Sequence, residues 1–330
     1  MKKLFHYYLT KVLAEKAGLT SKDAQILAYA TQYVDDSFFY NKLHLNGFPG
    51  WAEYKSLKMS DDVFCPVQTS HDTFDILRDL DPKICQEVWT GFHMVPNDRI
   101  ARTTNPEVKL KSYITKENGK KVNQLVDEAI RQLEATTNPN PDHTRALIKL
   151  GIALHAFADS WAHDDFSGIH DARNHKLEND IWHEGTWKQD VSLGTVEIGH
   201  ALSSAPDVTV KWRYKNPGDS IYIVKDNLDR FLDCAEKIYL KLVGFTKTGP
   251  DFKDIRTQIK NCLKFGNPEE VYPDIRFKYN KEEWFRAAIK FNLDETRSKK
   301  KKFWVYDFAG DWKWFYYQIE AYAQRESVLA

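Results

Sequence analysis

The sequence predicts an all-α protein: a single helical domain over residues 1–330, built as a multi-helix bundle with long loops and at most one short strand or hairpin. Three observations predict it. Apolar residues recur at i, i+3 and i+4 in one segment after another. The stretch Leu147 to His163, LIKLGIALHAFADSWAH, is apolar on nearly every side and reads as a helix packed all round. Strand-like alternation is confined to Val208, Val210, Trp212 and Tyr214.

Taken in order, Tyr8, Leu9, Val12 and Leu13 follow helical spacing, and Gly18 is a stop signal. Thr20 and Asp23 make a capping-box-like start to a second helix carrying Ala24, Leu27, Ala30 and Val34. Asp36 to Asp62 is irregular, with Gly47, Pro49 and Gly50. The region to Thr104, with Pro66, Pro82 and Pro96, reads as loops around short helices. Val122 to Leu133 is amphipathic, and NPNPD, Asn138 to Asp142, breaks the chain and caps the central helix, Ala146 to His163. Asp164 to Gly199 is a long polar connection rich in His, Asp, Trp and Gly; connections of that length are often functional. Further helices are expected over Leu228–Val243, Asp254–Leu263, Glu282–Phe291 and Trp312–Arg325. The four lysines Lys299 to Lys302 read as a solvated loop.

Composition narrows the function classes. Hydrophobic residues make up 42% of the chain and aromatics 14%, enough for a sizeable core. Lys plus Arg is 47 and Asp plus Glu is 47, which argues against general nucleic-acid binding but not against a small-molecule or phosphoester substrate. No transmembrane segment is expected, since no run approaches the ~20 apolar residues of a membrane span. Lys11, Glu15 and Lys16 interrupt the N-terminal apolar stretch, so a cytoplasmic chain without a cleaved signal is expected. Cys65, Cys85, Cys234 and Cys262 lie far apart and read as free thiols. There is no P-loop, GxGxxG, GxSxG or HExxH motif.

The chemistry concentrates in the central helix. His155, Asp159 and His163 are four apart, and each step of four turns about 400°, so the three side chains share one face. An ionised carboxylate in an apolar helix needs a hydrogen-bonded partner or a metal. The two histidines are separated by about 12 Å of helical rise, too far to hold one ion, but Asp159 between them can bridge two ions about 3.5–4 Å apart. A buried His–Asp hydrogen-bonded pair is the alternative reading of the same spacing. Elsewhere, His6 lies in LFHYYL, Asp35 and Asp36 end the second helix, His71 and Asp72 form an HD pair, His93 lies in GFHMVP, and His200 precedes Asp207 in IGHALSSAPD. Two carboxylates at a helix C-terminus face the wrong end of the macrodipole and call for a compensating cation.

HYYLTKVLA with YATQYVDDS, and LGIALHAFADSWAHDDFSG with IGHALSSAPD, resemble the signatures of an uncharacterised bacterial family of all-helical proteins. That family is similar, more remotely, to the zinc-dependent phospholipase C and single-strand nuclease superfamily, so the resemblance implies a phospholipase C-like bundle. It also implies a metal cluster held by His6, by Asp35 or Asp36, by His71, and by His155 with Asp159. His163 would begin a second half-site completed by His183 or His200. Two departures stand out. The superfamily's N-terminal Trp, freed by signal cleavage, has no counterpart, because this chain starts with Met1. The later HxxxE is broken, with Trp187 four residues after His183 and Ser204 four after His200. One or two ions are therefore expected, zinc or another divalent transition metal.

These observations lead to the expectation of a metal-dependent phosphoester hydrolase. Metal ligands are expected at His6, Asp35, Asp36, His71, His155, Asp159, His163 and His200, with Asp36 or Asp164 as general base. Two alternatives carry different chemistry: an HD-type phosphohydrolase built on His71–Asp72, and a non-catalytic protein whose metal or His–Asp network only ties helices together.

Overall fold

The chain opens with a π-helical turn, Leu4–Leu9, that runs directly into α1 (Thr10–Lys16). α2 (Ser21–Asp36) starts where the sequence places it, with the Asp23 amide donating to Thr20 Oγ1 at 3.1 Å. Short strands β1 (Leu43–Asn46), β2 (Lys58–Ser60) and β3 (Val63–Phe64) follow. α3 (Pro82–Cys85), capped by Asp81, passes into a second π-helical stretch, Gln86–His93. α4 (Pro106–Lys111) and α5 (Lys120–Glu134) lead to the central helix α6 (Pro141–Ala162). Strands β4 (Leu177–His183), β5 (Thr186–Gln189), β6 (Lys211–Lys215) and β7 (Ile223–Asp226) precede α7 (Asn227–Thr246) and α8 (Phe252–Phe265). The chain closes with α9 (Glu283–Ala288), β8 (Ile289–Leu293), β9 (Lys302–Tyr306) and α10 (Lys313–Leu329). This computed structural model describes residues 1–39, 42–46, 58–60, 63–71, 81–136, 141–171, 174, 177–189, 205–216, 218–266, 278–293, 302–306 and 312–330.

α6 is the axis of the core, as its all-round apolar sequence requires. Leu147, Ile148, Leu150, Leu154, Phe157 and Ala158 are each no more than 1% exposed. α2, α5, α7 and α10 pack along it. The crossing with α2 is tightest at Gly151, where an added Cβ would lie 2.5 Å from Ala30 Cβ and 2.7 Å from the Leu27 carbonyl oxygen. Both neighbours belong to a packed helix and cannot swing aside. Gly151→Ala is therefore expected to destabilise the protein by about 1–3 kcal/mol, despite alanine's higher helix propensity, as read from a lowered urea midpoint.

The helices match the expectation, but the all-α class does not: the fold is mixed α and β. Five strands join in the order β2-β3-β1-β9-β8 and four in the order β5-β4-β6-β7. In the first sheet β1 pairs antiparallel with β3, Leu43 opposite Phe64, and parallel with β9, Leu45 opposite Trp304. The second sheet is wholly antiparallel. The single strand expected at Val208–Tyr214 is its member β6. Trp212 and Tyr214 turn inward, stacked with ring centroids 4.9 Å apart, into a small core with Met94, Phe166 and Ala205. The long polar connection contains the hairpin β4–β5, whose turn residues Glu184 and Gly185 adopt φ values of 47° and 85°. Two successive positive φ values are what a two-residue hairpin turn of the right twist demands. The helix expected over Glu282–Phe291 ends at Ala288, because Ile289 turns to extended backbone and begins β8. The Lys299–Lys301 portion of the lysine run lies outside the described residues.

Among the described residues, no helix is long and apolar enough to cross a membrane. Cys65, Cys85, Cys234 and Cys262 are free thiols.

Candidate metal centre

The face of α6 that carries His155, Asp159 and His163 is the floor of a buried polar cluster. Asp159 is 1% exposed and stands at its middle, with each carboxylate oxygen serving a different side. Oδ1 accepts from the Met1 α-ammonium and lies 3.0 Å from His6 Nε2. Oδ2 lies 3.0 Å from His93 Nδ1, 3.1 Å from His155 Nε2 and 3.8 Å from His163 Nδ1. Asp35 at the end of α2 brings Oδ1 to 3.7 Å from His155 Nε2 and 3.9 Å from His93 Nδ1. Asp207, on the 3-10 turn Ala205–Asp207, brings Oδ1 to 3.1 Å from the Met1 nitrogen and 3.2 Å from His163 Nε2.

The backbone fixes which nitrogens face the cluster. A carbonyl oxygen can only accept, so each histidine bonded to one places its proton there. His155 Nδ1 donates to the Thr31 carbonyl at 2.8 Å, His93 Nε2 to the Thr69 carbonyl at 2.8 Å, and His163 Nδ1 to the His93 carbonyl at 2.8 Å. Thr69 is in turn held by Tyr317 of α10, hydroxyl to hydroxyl at 2.9 Å. In the neutral tautomers this leaves His93 Nδ1 and His155 Nε2 as lone pairs only 3.1 Å apart, both aimed at the Asp159 carboxylate. Three acceptors converging on one point repel unless a proton or a cation lies between them. Outward hydrogen bonds that lock the tautomer of an inward-facing imidazole are the usual support of a metal-ligating histidine. His6 adds an orphan. Its ring is fully buried, stacked on His155 at 4.0 Å, and neither nitrogen makes a well-formed hydrogen bond.

Among the described residues, two overlapping sets of ligand atoms are close enough to hold an ion, His6 with His155 and Asp159, or Asp35 with His93 and His155; they share the one inward nitrogen of His155 and are alternatives for it. Imidazole nitrogen with carboxylate oxygen suits zinc and several other divalent transition metals, so the donor set fits a metal. His6 sits within one π-helical segment and His93 ends the other. The wider π turn re-aims side chains relative to an α-helix and recurs at functional sites.

Electrostatics follow from burial and charge. Burial alone would lower the Met1 amine, but Asp159, Asp207 and Asp35 more than offset it and raise it to about 11. Burial alone would raise Asp159, yet the Met1 ammonium and His155 hold its carboxyl well below the usual carboxylate range. Burial and the neighbouring charge of His6 push His155 well down, keeping it neutral with a free lone pair. Burial pushes Asp35 up to about 7 against the pull of His6. Because the amine's pKa is raised on folding, its contribution to the metal-free protein is complete below about pH 8 and is lost as the pH climbs toward about 11. The unfolding midpoint of chelator-treated protein is expected to fall across that interval; a midpoint flat from pH 8 to 11 contradicts the buried ammonium.

Of the residues expected from the sequence, His6, Asp35, His155, Asp159 and His163 come together here. Asp36 accepts from Gln32 Nε2 at 3.0 Å, beside the cluster but outside the two ligand sets. His71 is one aromatic ring removed: it packs edge-on against Trp89, which packs on His93. Asp164 is engaged by Lys225 and accepts from the Glu117 amide at 3.2 Å, with Arg230 at 3.9 Å. His183 is exposed on β4. His200 and Asp72 lie outside the described residues. Three groups of the cluster are not legible as ligands in the sequence: His93, Asp207 and the Met1 amine. The Met1 nitrogen lies against Asp159 and Asp207. The available signals are the lone histidine beside Met94 in an otherwise apolar run, and the aspartate that ends the IGHALSSAPD signature.

The fold and this cluster define a mixed α/β protein with a buried histidine–carboxylate centre arranged around one bridging aspartate. The chain belongs to DUF6765, a family of unknown function, whose pattern matches residues 1–330. Comparison with curated proteins and with solved structures gives no match.

Proposed function

We propose that this protein is a metal-dependent hydrolase of phosphoesters, in keeping with its remote resemblance to the zinc-dependent phospholipase C and nuclease superfamily. The observation that carries the metal is the convergence of His93 Nδ1, His155 Nε2 and Asp159 Oδ2 within about 3 Å of one another, with the outward sides of both histidines locked by backbone carbonyls. Divalent ions bound there would supply Lewis acidity and lower the pKa of a coordinated water. The chain's own residues do the rest. His6, His155 and Asp159 would hold an ion, or Asp35 and His93 with His155 would, since the one inward nitrogen of His155 serves a single ion; a second ion would rest on the carboxylates and the remaining histidines. Asp35 and Asp207 are 29% and 20% exposed against 1% for Asp159, so solvent reaches the cluster most readily at these two carboxylates. Asp36, outside the ligand sets and next to Asp35 in the chain, would be the general base on this reading.

The non-catalytic reading has its own support. His6, His155 and Asp159 are almost wholly buried, as expected of a closed site that only ties the first π-helical turn to α6. His71 packs on Trp89 one ring away from His93, and Asp72 of the HD pair lies outside the described residues. Hydrolysis of p-nitrophenyl phosphate and bis(p-nitrophenyl) phosphate separates the two. Chelated protein reloaded with Zn²⁺ or Mn²⁺ is expected to turn over at least one of them, and Asp36→Asn to slow that turnover about 10²–10⁴-fold without releasing metal. Metal uptake with no turnover of either ester under any ion supports the structural role instead.

A further inference from the structure

Asp207 reaches the cluster from a three-residue turn that is too short to hold itself. One side chain from the first position of α7 spans it. Asn227 is fully buried, and its carboxamide nitrogen donates to the carbonyls of Ala205 at 2.7 Å, Val208 at 2.9 Å and Pro206 at 3.2 Å. Those three carbonyls bracket Asp207 on both sides. The carboxamide itself is pinned, because its oxygen accepts from Arg230 Nη1 at 3.0 Å and from Trp212 Nε1 at 3.2 Å. Its backbone amide donates to the Val210 carbonyl at 3.1 Å, just beyond the turn. Arg230 closes the frame by donating to the Trp161 carbonyl at the end of α6, two residues before His163. The support of Asp207 and that of His163 therefore meet at one buried amide.

We infer that Asn227 is the positioning residue of the Asp207–His163 side of the centre, fixing where the Asp207 carboxylate stands relative to His163 Nε2 and the Met1 nitrogen. The inference rests on the metal-centre reading above. Asn227 touches none of the ligand atoms and acts only through the turn. Losing its two N–H donors frees the turn and lets the carboxylate swing. Asp207 lies outside the two ligand sets and supports the centre through the Met1 ammonium and His163, and groups that support a metal site without touching the ion change its affinity by about 10–100-fold.

Cobalt(II) titration of the chelated, full-length protein tests this, followed by visible absorption and calorimetry. Asn227→Asp keeps the shape and the oxygen that accepts from Trp212 and Arg230, but turns a carboxylate toward three carbonyls. Asp207→Ala is expected to weaken Co²⁺ binding about 10–100-fold, and Asn227→Asp to weaken it by up to the same factor, while the far-UV circular dichroism stays as in wild type. The double variant is expected to bind no more weakly than Asp207→Ala alone, since both changes act through one carboxylate. Asn227→Ser, whose hydroxyl is too short to span the turn, repeats the measurement should Asn227→Asp fail to fold. Wild-type Co²⁺ affinity in both variants, additive losses in the double variant, a uniform loss at every ion in step with a falling Tm, or an Asp207→Ala that changes no Co²⁺ signal overturns the inference. Wild-type protein that takes up no Co²⁺ overturns the metal centre as well, which separates the two failures.

Discussion

Asp159→Asn is expected to abolish metal uptake and to cost the metal-free fold about 3–5 kcal/mol, the largest loss expected from any single side-chain change in the centre. Asp159 is the one group that faces the Met1 ammonium, His6, His93 and His155 together. The sequence alone suggests that an amide would preserve the fold, because it keeps the shape. The ammonium beside Asp159 changes that expectation. With the carboxylate gone, a charge that is fully out of water keeps only Asp207 at 3.1 Å and the more distant Asp35 as counter-ions. Urea denaturation in the presence of chelator reads the stability, and elemental analysis after dialysis reads the metal. A variant of wild-type stability that still carries its ions would show that Asp159 is not the keystone.

The second large effect concerns the N-terminus. Joining any residue to Met1 converts the ammonium into a neutral amide and forces the chain out through a region where Met1 is 5% exposed. The ion pairs to Asp159 and Asp207 are lost, and the new peptide must displace the side chains that bury Met1. An extended protein is expected to lose about 3–5 kcal/mol of stability, the cost of breaking a buried charge pair, and to bind metal poorly. A ubiquitin fusion cleaved to expose Met1 again should recover both properties. Equal Tm and equal metal content before and after cleavage would contradict the placement of the amine.

How far the sequence carries can be judged from particular residues. The central helix is legible because its apolar residues leave no polar face: the sequence predicts Ala146–His163, and Pro141–Ala162 is observed. The second helix is legible from its Thr20 cap. The shared face of His155, Asp159 and His163 follows from helical geometry alone. The sheets are not legible, because their strands are short and several are polar. β4 and β5 carry Glu178, Asp180, His183 and Lys188, so period-two hydrophobicity never emerges, and the only local sign is the Glu184–Gly185 turn. β8 reads as helix because Glu282 to Ala288 is helical and no Gly or Pro marks where it stops. His93, Asp207 and Met1 stand 66, 48 and 158 residues from Asp159, and nothing periodic links them to it. Only tertiary packing brings those donors together, and that information is spread over every helix that packs on α6.

The most direct test of the central claim is a metal count. The full-length chain, freed of any tag and dialysed against buffer treated to remove trace metals, is analysed for its elements and then titrated with Zn²⁺ by calorimetry after chelation. One or two divalent ions per chain are expected. Their removal is expected to lower Tm, and their binding to be lost in Asp159→Asn. A wild-type chain that holds no ion, takes up none on titration and unfolds at the same temperature with and without chelator would contradict the account. The cluster would then be a hydrogen-bonded His–Asp network alone.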